Sequence, residues 1–399
     1  MPPRSTSWST IQNFLECSDS QTTDCFRRTQ WDELCRIASA FAGHLECQAL
    51  DQVASGLNNI VRLLEFSDQT RWAARIHIRR NVSPTDSRTR LEAEIATMQF
   101  IKERSDLPVP RVFAYEADEN NPVKSAFILM ELLPGIVAMD AHGGHKVHRG
   151  VIPKEHRQNF YRSVANYHVQ LTSLRLPKIG TIIRNHEGEY ECGPLPGIGG
   201  PFDTATAFFE AWADSVKFKW DNETITRMME RAPISAERMI TIIDNFPRQI
   251  KAMADRLSLC NDGPFPLDHD DFLHSNIMVD EESFDVTGII DWEGACTVPW
   301  ELIAFPEFLS CMPVSFNLPE NYGQDGLPVD EEVRETWRER EAYIEMVKSV
   351  EDQDSLLSAC LSSKRSCAIA YSYGAYTSVG KLGTYDRVIE ELQGFCDGS

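Results

Sequence analysis

The chain is 399 residues long, 42% hydrophobic and 25% charged, a globular composition that excludes collagen-like, low-complexity and wholly disordered architectures. Lys and Arg number 39 against 60 Asp and Glu, giving a net charge of −21. A surface that negative repels phosphate backbones and anionic lipid, so no nucleic-acid or membrane partner is expected, and a neutral or cationic small molecule fits better.

Residues 1–48 read as an N-terminal helical extension, with Trp31, Leu34, Cys35, Ala38, Phe41 and Ala42 at spacings of three and four. Residues 60–66 (IVRLLEF) and 71–78 (RWAARIHI), divided by Ser67-Asp68-Gln69-Thr70, read as a hairpin. Thr85 or Asp86 then caps a helix that carries Leu91, Ile95, Met98 and Ile101 on one face. Pro108 and Pro110 close that stretch, and residues 112–116 and 126–133 read as two more strands. Residues 49–133 thus form a small, mainly antiparallel sheet with one helix, ending at a hinge, Pro134-Gly135.

From 134 to 399 helical patterns dominate, at 155–174, 204–220 and 235–258. Residues 320–354 add an acidic helical segment with twelve acidic side chains against four basic ones. His142, His145 and His148 lie in a Gly-interrupted stretch that reads as an exposed loop rather than a metal site. His168 and the trio Phe208, Phe209 and Trp212 read as core.

The eleven cysteines include no CxxC pair, so neither a zinc ribbon nor a thioredoxin-type redox pair is expected. The opening MPPRSTSWSTIQNFLEC lacks the continuous apolar core of a secretory signal, and no uncharged apolar run is long enough to span a bilayer. A reducing, cytoplasmic location is the expectation.

The chemistry concentrates in residues 264–301. Two strands, 277–280 and 286–290, form a hairpin with Asn276 before the first and Asp291 after the second. Those positions meet at the open end of an antiparallel pair and offer two hard oxygen ligands suited to Mg²⁺. Asp271, in the loop upstream, can approach the same point. A carboxylate that accepts a hydroxyl proton beside an Asn/Asp metal clamp is the apparatus of phosphoryl transfer.

The run His269-Asp270-Asp271-Phe272-Leu273-His274-Ser275-Asn276, followed by Ile289-Ile290-Asp291-Trp292-Glu293, resembles the catalytic loop and metal-binding Asp of the aminoglycoside phosphotransferase / choline kinase-like family. The resemblance spans roughly residues 50–310 and implies an α+β, two-lobed, protein-kinase-like fold: a small antiparallel-sheet lobe (49–133) and a large helical lobe (134–399). It makes Asp271 the catalytic base, with His269 in the catalytic set as support for the loop. Asn276 and Asp291 become the Mg²⁺ ligands.

By the same resemblance, Arg75 in WAARI takes the place of the phosphate-binding cation, paired with Glu94. Arg stays charged and grips two phosphate oxygens, with a geometry unlike that of an ammonium. Ser55, Gly56 and Asn58 lie in the phosphate-covering turn, and Met130, Glu131 and Leu132 in the linker that hydrogen-bonds adenine. Trp292-Glu293 stands where protein kinases have Phe-Gly, and no Ala-Pro-Glu segment follows, which argues against a protein substrate. The leading expectation is transfer of the γ-phosphoryl group of ATP (or GTP) to a hydroxyl of a small, cationic or neutral acceptor. The alternative is a nucleotide-binding module without transferase activity.

Overall fold

The computed structural model describes residues 8–80, 83–144, 151–232 and 234–396, and of 395 and 396 the backbone only. His145 and His148 lie outside the described residues. The chain divides into two compact units: Met1–Ser163 with Ile182–Tyr190 and Asp271–Ala295, and Val164–Thr181 with Glu191–Asp270 and Cys296–Ser399.

The first unit is built on a six-stranded sheet. Its strands are β1 (Ser9–Thr10), β2 (Cys47–Ser55), β3 (Asn59–Phe66), β4 (Arg71–His77), β5 (Val112–Glu116) and β6 (Phe127–Glu131), in the order β1-β2-β3-β4-β6-β5. The 60–66/71–78 hairpin forms as its turn chemistry dictates: Asp68 accepts hydrogen bonds from the Thr70 backbone and hydroxyl, and Gln69 takes the left-handed conformation. Strand β2, absent from the sequence reading, has the mixed pattern of a strand with a bulge. Its register against β3 jumps between Ala49 and Val53, which blurs the two-residue period that marks strands.

One face of this sheet is covered by α1 (Ile11–Cys17), α2 (Ser20–Arg28) and α3 (Trp31–Phe41). Phe14, Cys25, Phe26, Leu34, Cys35 and Ala38 pack with Val53, Ile60, Leu64, Ala74, Ile76 and Leu129 in one apolar core. The segment expected to be an extension is therefore part of the unit. Each fully buried Leu or Phe contributes about 1.5–3 kcal/mol, so this face cannot be left bare. Helix α4 (Pro84–Arg104) presents Leu91 and Ile95 to Ile128. Its N-cap is Ser83, not Thr85 or Asp86: the Ser83 hydroxyl accepts from the Asp86 N–H, and Pro84 fills the first turn.

A three-stranded sheet completes the unit: β7 (Ile136–Val137), β12 (Ile277–Val279) and β13 (Val286–Ile289), with β12 in the middle. Pro134-Gly135, read as a hinge, is a packed crossing. A Cβ on Gly135 would sit 2.1 Å from the Val279 carbonyl oxygen, and its φ is +91°.

Helix α5 (Lys154–Ser173) starts in the first unit and ends in the second. β8 (Arg175–Leu176) is followed along the chain by β9 (Gly180–Arg184) and β10 (Tyr190–Gly193); β11 (Phe265–Asp268) pairs with β8 and with β14 (Cys296–Thr297), and β14 pairs with Gly180 and Thr181 of β9. The 204–220 pattern forms α6 (Ala205–Ser215), which stops where Val216 turns extended, and α7 (Asn222–Met229) lies beyond it, in a stretch not read as helical. Trp212, on α6, meets Phe246 and Tyr376 edge-on in an aromatic core. Phe208, Phe209 and Trp212 are core, as expected, and His168 is buried with Nδ1 3.1 Å from the Tyr343 hydroxyl. The acidic stretch becomes α9 (Glu331–Lys348), following α8 (Ala236–Ala252).

Candidate active site

Arg75 lies at the centre of the first unit's sheet, opposite Val61 on one side and Ile128 on the other. Its side chain is buried and forms an ion pair with Glu94 of α4, which is 3% exposed. Two more carboxylates face the same guanidinium: Asp291 at 3.4 Å and Glu293 at 3.9 Å. Burial works against the Arg75 charge, but the carboxylates outweigh it and hold its pKa above the ordinary value. Burial pushes the Glu94 carboxyl up to about 7. Arg75 opposes that rise, while Asp291 and Glu293 add to it.

The 277–289 hairpin delivers the second half of the site. Ile277 pairs with Ile289, and the Ile290 N–H donates to the Asn276 carbonyl oxygen, so Asn276 stands opposite Ile290. Asp291 comes one residue later than the side-by-side placement expected, and its φ of +64° turns the chain back toward Arg75. Asp is among the few residues that enter that region at low cost. The Asn276 side-chain amide donates to the backbone oxygen and to Oδ2 of Asp271, each at 2.9 Å. With its nitrogen so occupied, the amide presents its oxygen as the atom able to face a cation.

Asp271 is exposed as a residue. Desolvation by the surrounding chain nevertheless leads in raising its pKa; Asp291 adds to the rise and the Asn276 amide opposes it. His269 falls in the second unit and is buried. Its backbone N–H and that of Asp270 support the Asp268 carboxylate, the latter at 3.3 Å.

A cavity of about 420 Å³ opens in the first unit. It is lined by the polar side chains of Arg75, Glu94, Asn276, Asp291 and Glu293 and by the apolar ones of Ala73, Met98, Met130, Leu132 and Ile290. Ser55, Gly56, Asn58 and Glu131 also line it. The structure thus brings every expected cofactor-binding and metal-ligating position to one cavity, while Asp271 reaches it through Asn276 and His269 lies in the other unit. Asn58 donates to both Glu293 oxygens at 3.4 Å, which ties the covering turn to the hairpin.

Sequence reasoning missed Glu293 as a site residue. Its place two residues after Asp291 was the available signal: with the strand ended at Ile289, a carboxylate there can return to the same guanidinium.

Among the described residues no group of three or more His, Cys, Asp or Glu side chains is arranged to hold a metal ion. A kinase-type magnesium site asks for less from the protein, one carboxylate and one amide oxygen, the rest coming from phosphate and water. Asp291 and Asn276 fit that donor set.

A sequence model described as the phosphotransferase enzyme family matches residues 50–301 of this chain. The chain belongs to that family. Its fold is the α+β, two-lobed, kinase-like one expected of it, and its family activity is small-molecule phosphotransfer.

Among curated proteins the chain is similar to "Altered inheritance of mitochondria protein 9, mitochondrial" of Saccharomyces cerevisiae, 23% identical over 278 residues and covering 55% of this chain and 44% of the yeast protein. It is also similar to "Clavilactone A biosynthesis cluster protein Y" of Ampulloclitocybe clavipes, 24% identical over 226 residues, covering 56% of this chain and 54% of that one. Each relative therefore has sequence that this chain does not span. Among solved structures, a macrolide 2'-phosphotransferase from Brachybacterium faecium is 15% identical, with a TM-score of 0.42 over 90% of this chain and 97% of its own. An aminoglycoside phosphotransferase from Streptomyces rimosus, in complex with ADP and streptomycin, is 16% identical with a TM-score of 0.38, over 84% and 97%.

The mitochondrial relatives overturn the expectation of a cytoplasmic location. That expectation tested only for a continuous apolar segment. Segments that direct proteins to mitochondria are amphipathic and Arg-rich, so the test was blind to them. No helix among the described residues is long and apolar enough to cross a membrane.

Proposed function

We propose that this protein transfers the γ-phosphoryl group of a purine nucleoside triphosphate to a hydroxyl of a small, neutral or cationic molecule. The observation that carries this reading is the charge balance around Arg75. Three carboxylates lie within 4.0 Å of the single guanidinium of Arg75, with Asp271 joined to them through Asn276. One cation does not neutralise that set, and a divalent ion arriving with the phosphates supplies the missing positive charge.

Asn276 and Asp291 would hold Mg²⁺, which when bound neutralises charge on the phosphate oxygens. Arg75, aligned by Glu94, is placed to grip phosphate oxygens with the terminal nitrogen that faces Asp291 and Glu293, once the cation takes up Asp291. Asp271 receives the acceptor's proton: its raised pKa makes it a better base than an ordinary carboxylate, and the Asn276 amide holds it in place. The apolar part of the lining, Ala73, Met98, Met130 and Leu132, takes the purine, and the Ser55–Asn58 turn covers the phosphates, held down by the Asn58–Glu293 contact.

The test is an acceptor panel of amino sugars, amino alcohols and polyols incubated with Mg-ATP or Mg-GTP and read by mass spectrometry for a gain of one phosphate. Asp271→Asn should abolish the gain and leave nucleotide affinity within about threefold, since it keeps the shape and removes only the base. Nucleotide binding with no product across a broad panel would favour a binding module. Comparable rates in Asp271→Asn would remove Asp271 from the role of base.

A further inference from the structure

Trp8 lies outside residues 50–301, the part of the chain that matches the family, yet it lines the cavity. Its position follows from the edge of the sheet. Ser9 pairs with Val53 and Thr10 with Gln52, so the antiparallel register carried back one residue sets Trp8 opposite Ala54. Ala54 in turn pairs with Val61, and Val61 with Arg75. Ala54, Val61 and Arg75 all line the cavity, whereas Val53 is buried in the core on the other face. A single cross-strand row therefore runs from the buried cation at the centre of the sheet to an indole at its free edge.

The N-terminal segment is anchored there by specific contacts. Asp51, within the bulge of β2, accepts a hydrogen bond from the Ile11 N–H at the start of α1. Arg62 donates to the Leu50 and Ala49 carbonyl oxygens inside the bulge and lies over the Trp31 ring at 4.8 Å. The bulge thus bends β2 outward and offers Gln52 and Val53 as the ladder on which residues 9 and 10 dock. Ala54 is small, and Trp8 stands beside it in the cavity lining.

We propose that Trp8 is a nucleoside-recognition residue, packing its indole against the base and ribose of the bound nucleotide. The inference rests on the nucleotide reading of this cavity. The cavity's charged lining, Arg75, Asn276, Asp291 and Glu293, suits phosphate and its cation. An uncharged aromatic face gains nothing from phosphate and suits the π-face of a base.

The experiment is calorimetric titration of the full chain and of Trp8→Ala and Trp8→Phe with two probes, Mg-ATP and Mg-tripolyphosphate. Trp8→Ala should weaken Mg-ATP binding about tenfold, which is about 1.4 kcal/mol, and leave tripolyphosphate binding unchanged. Trp8→Phe should recover most of the loss. The tryptophan fluorescence quenched by Mg-ATP should also fall in Trp8→Phe relative to the parent, a readout that does not depend on Trp8→Ala remaining folded. Equal Mg-ATP affinity in all three proteins, or an equal loss with both probes, would overturn the role of Trp8. Failure of the parent chain to bind Mg-ATP at all would instead remove the nucleotide reading beneath it.

Discussion

Arg75→Met strands Glu94, and the consequence can be worked from its surroundings. Glu94 is 3% exposed, and Arg75 is the cation that holds its charge. Without that partner the native state avoids a bare buried charge by protonating the carboxyl. An unfolded chain releases the same proton at a pKa of 4.5. In the parent that carboxyl already sits at about 7, so relative to the parent the variant loses about 1 kcal/mol through this proton at pH 7.5 and almost nothing at pH 5.5. The native form binds the extra proton, so stability falls as pH rises from the unfolded pKa toward the raised native one; below pH 4.5 both states are protonated and the penalty vanishes. Asp291 and Glu293 also lose a partner, but their side chains are 46% and 22% exposed and water substitutes in part. Chemical denaturation at the two pH values measures the difference. Arg75→Met/Glu94→Leu, which removes both charges, should recover most of the stability at pH 7.5, because an apolar pair often matches a buried ion pair. Equal loss at both pH values, or no recovery in the double variant, would refute the buried-pair argument.

Gly135→Ala should destabilise by at least about 2 kcal/mol, since the residue has φ +91° and the new Cβ would meet the Val279 carbonyl oxygen at 2.1 Å; a denaturation midpoint equal to the parent's would show that the crossing gives way. Asp268 has its pKa raised to about 7, first by burial and then by Asp270. The folded state therefore holds a proton that the unfolded chain sheds from about pH 4, and stability drains away as pH rises toward 7. Asp268→Asn should remove that slope and become more stable relative to the parent at pH 7.5 than at pH 4, read by thermal midpoints; parallel midpoints would place the Asp268 pKa near the ordinary carboxylate value. Asn58→Ala, which cuts the link to Glu293, should raise KM for the nucleotide severalfold with a smaller change in kcat; an unchanged KM would show that the turn is held by other contacts.

The sheet and helix that carry Arg75 and Glu94 were legible because their signals are local. The 67–70 turn has an Asp that caps its own backbone, and the α4 face repeats at helical spacing. The 277–289 hairpin was legible because polar residues flank two short apolar runs at fixed distances. What could not be read depends on the bulge in β2. There the alternation breaks at residues 50–52, so the strand left no period to detect, and with it went the docking of residues 9 and 10 and the approach of Trp8. Glu293 was hidden for a related reason. Its part in the site follows from the left-handed turn at Asp291, and a positive φ at a non-glycine residue leaves no mark in composition. The helix read over 204–220 stops at Ser215 because Val216 turns extended, and α7, capped by Asp221, begins beyond the residues that carried the helical spacing.

The central claim is that Asn276 and Asp291 together bind the cation that accompanies the nucleotide. Titration of ATP with and without Mg²⁺, into the parent chain, Asn276→Ala and Asp291→Asn, tests it most directly. Tight binding that requires Mg²⁺ in the parent, and a loss of about a hundredfold or more of the Mg²⁺-dependent part in either variant, is the expected result. ATP binding that is indifferent to Mg²⁺, or variants that keep the parent's Mg²⁺ dependence, would contradict it.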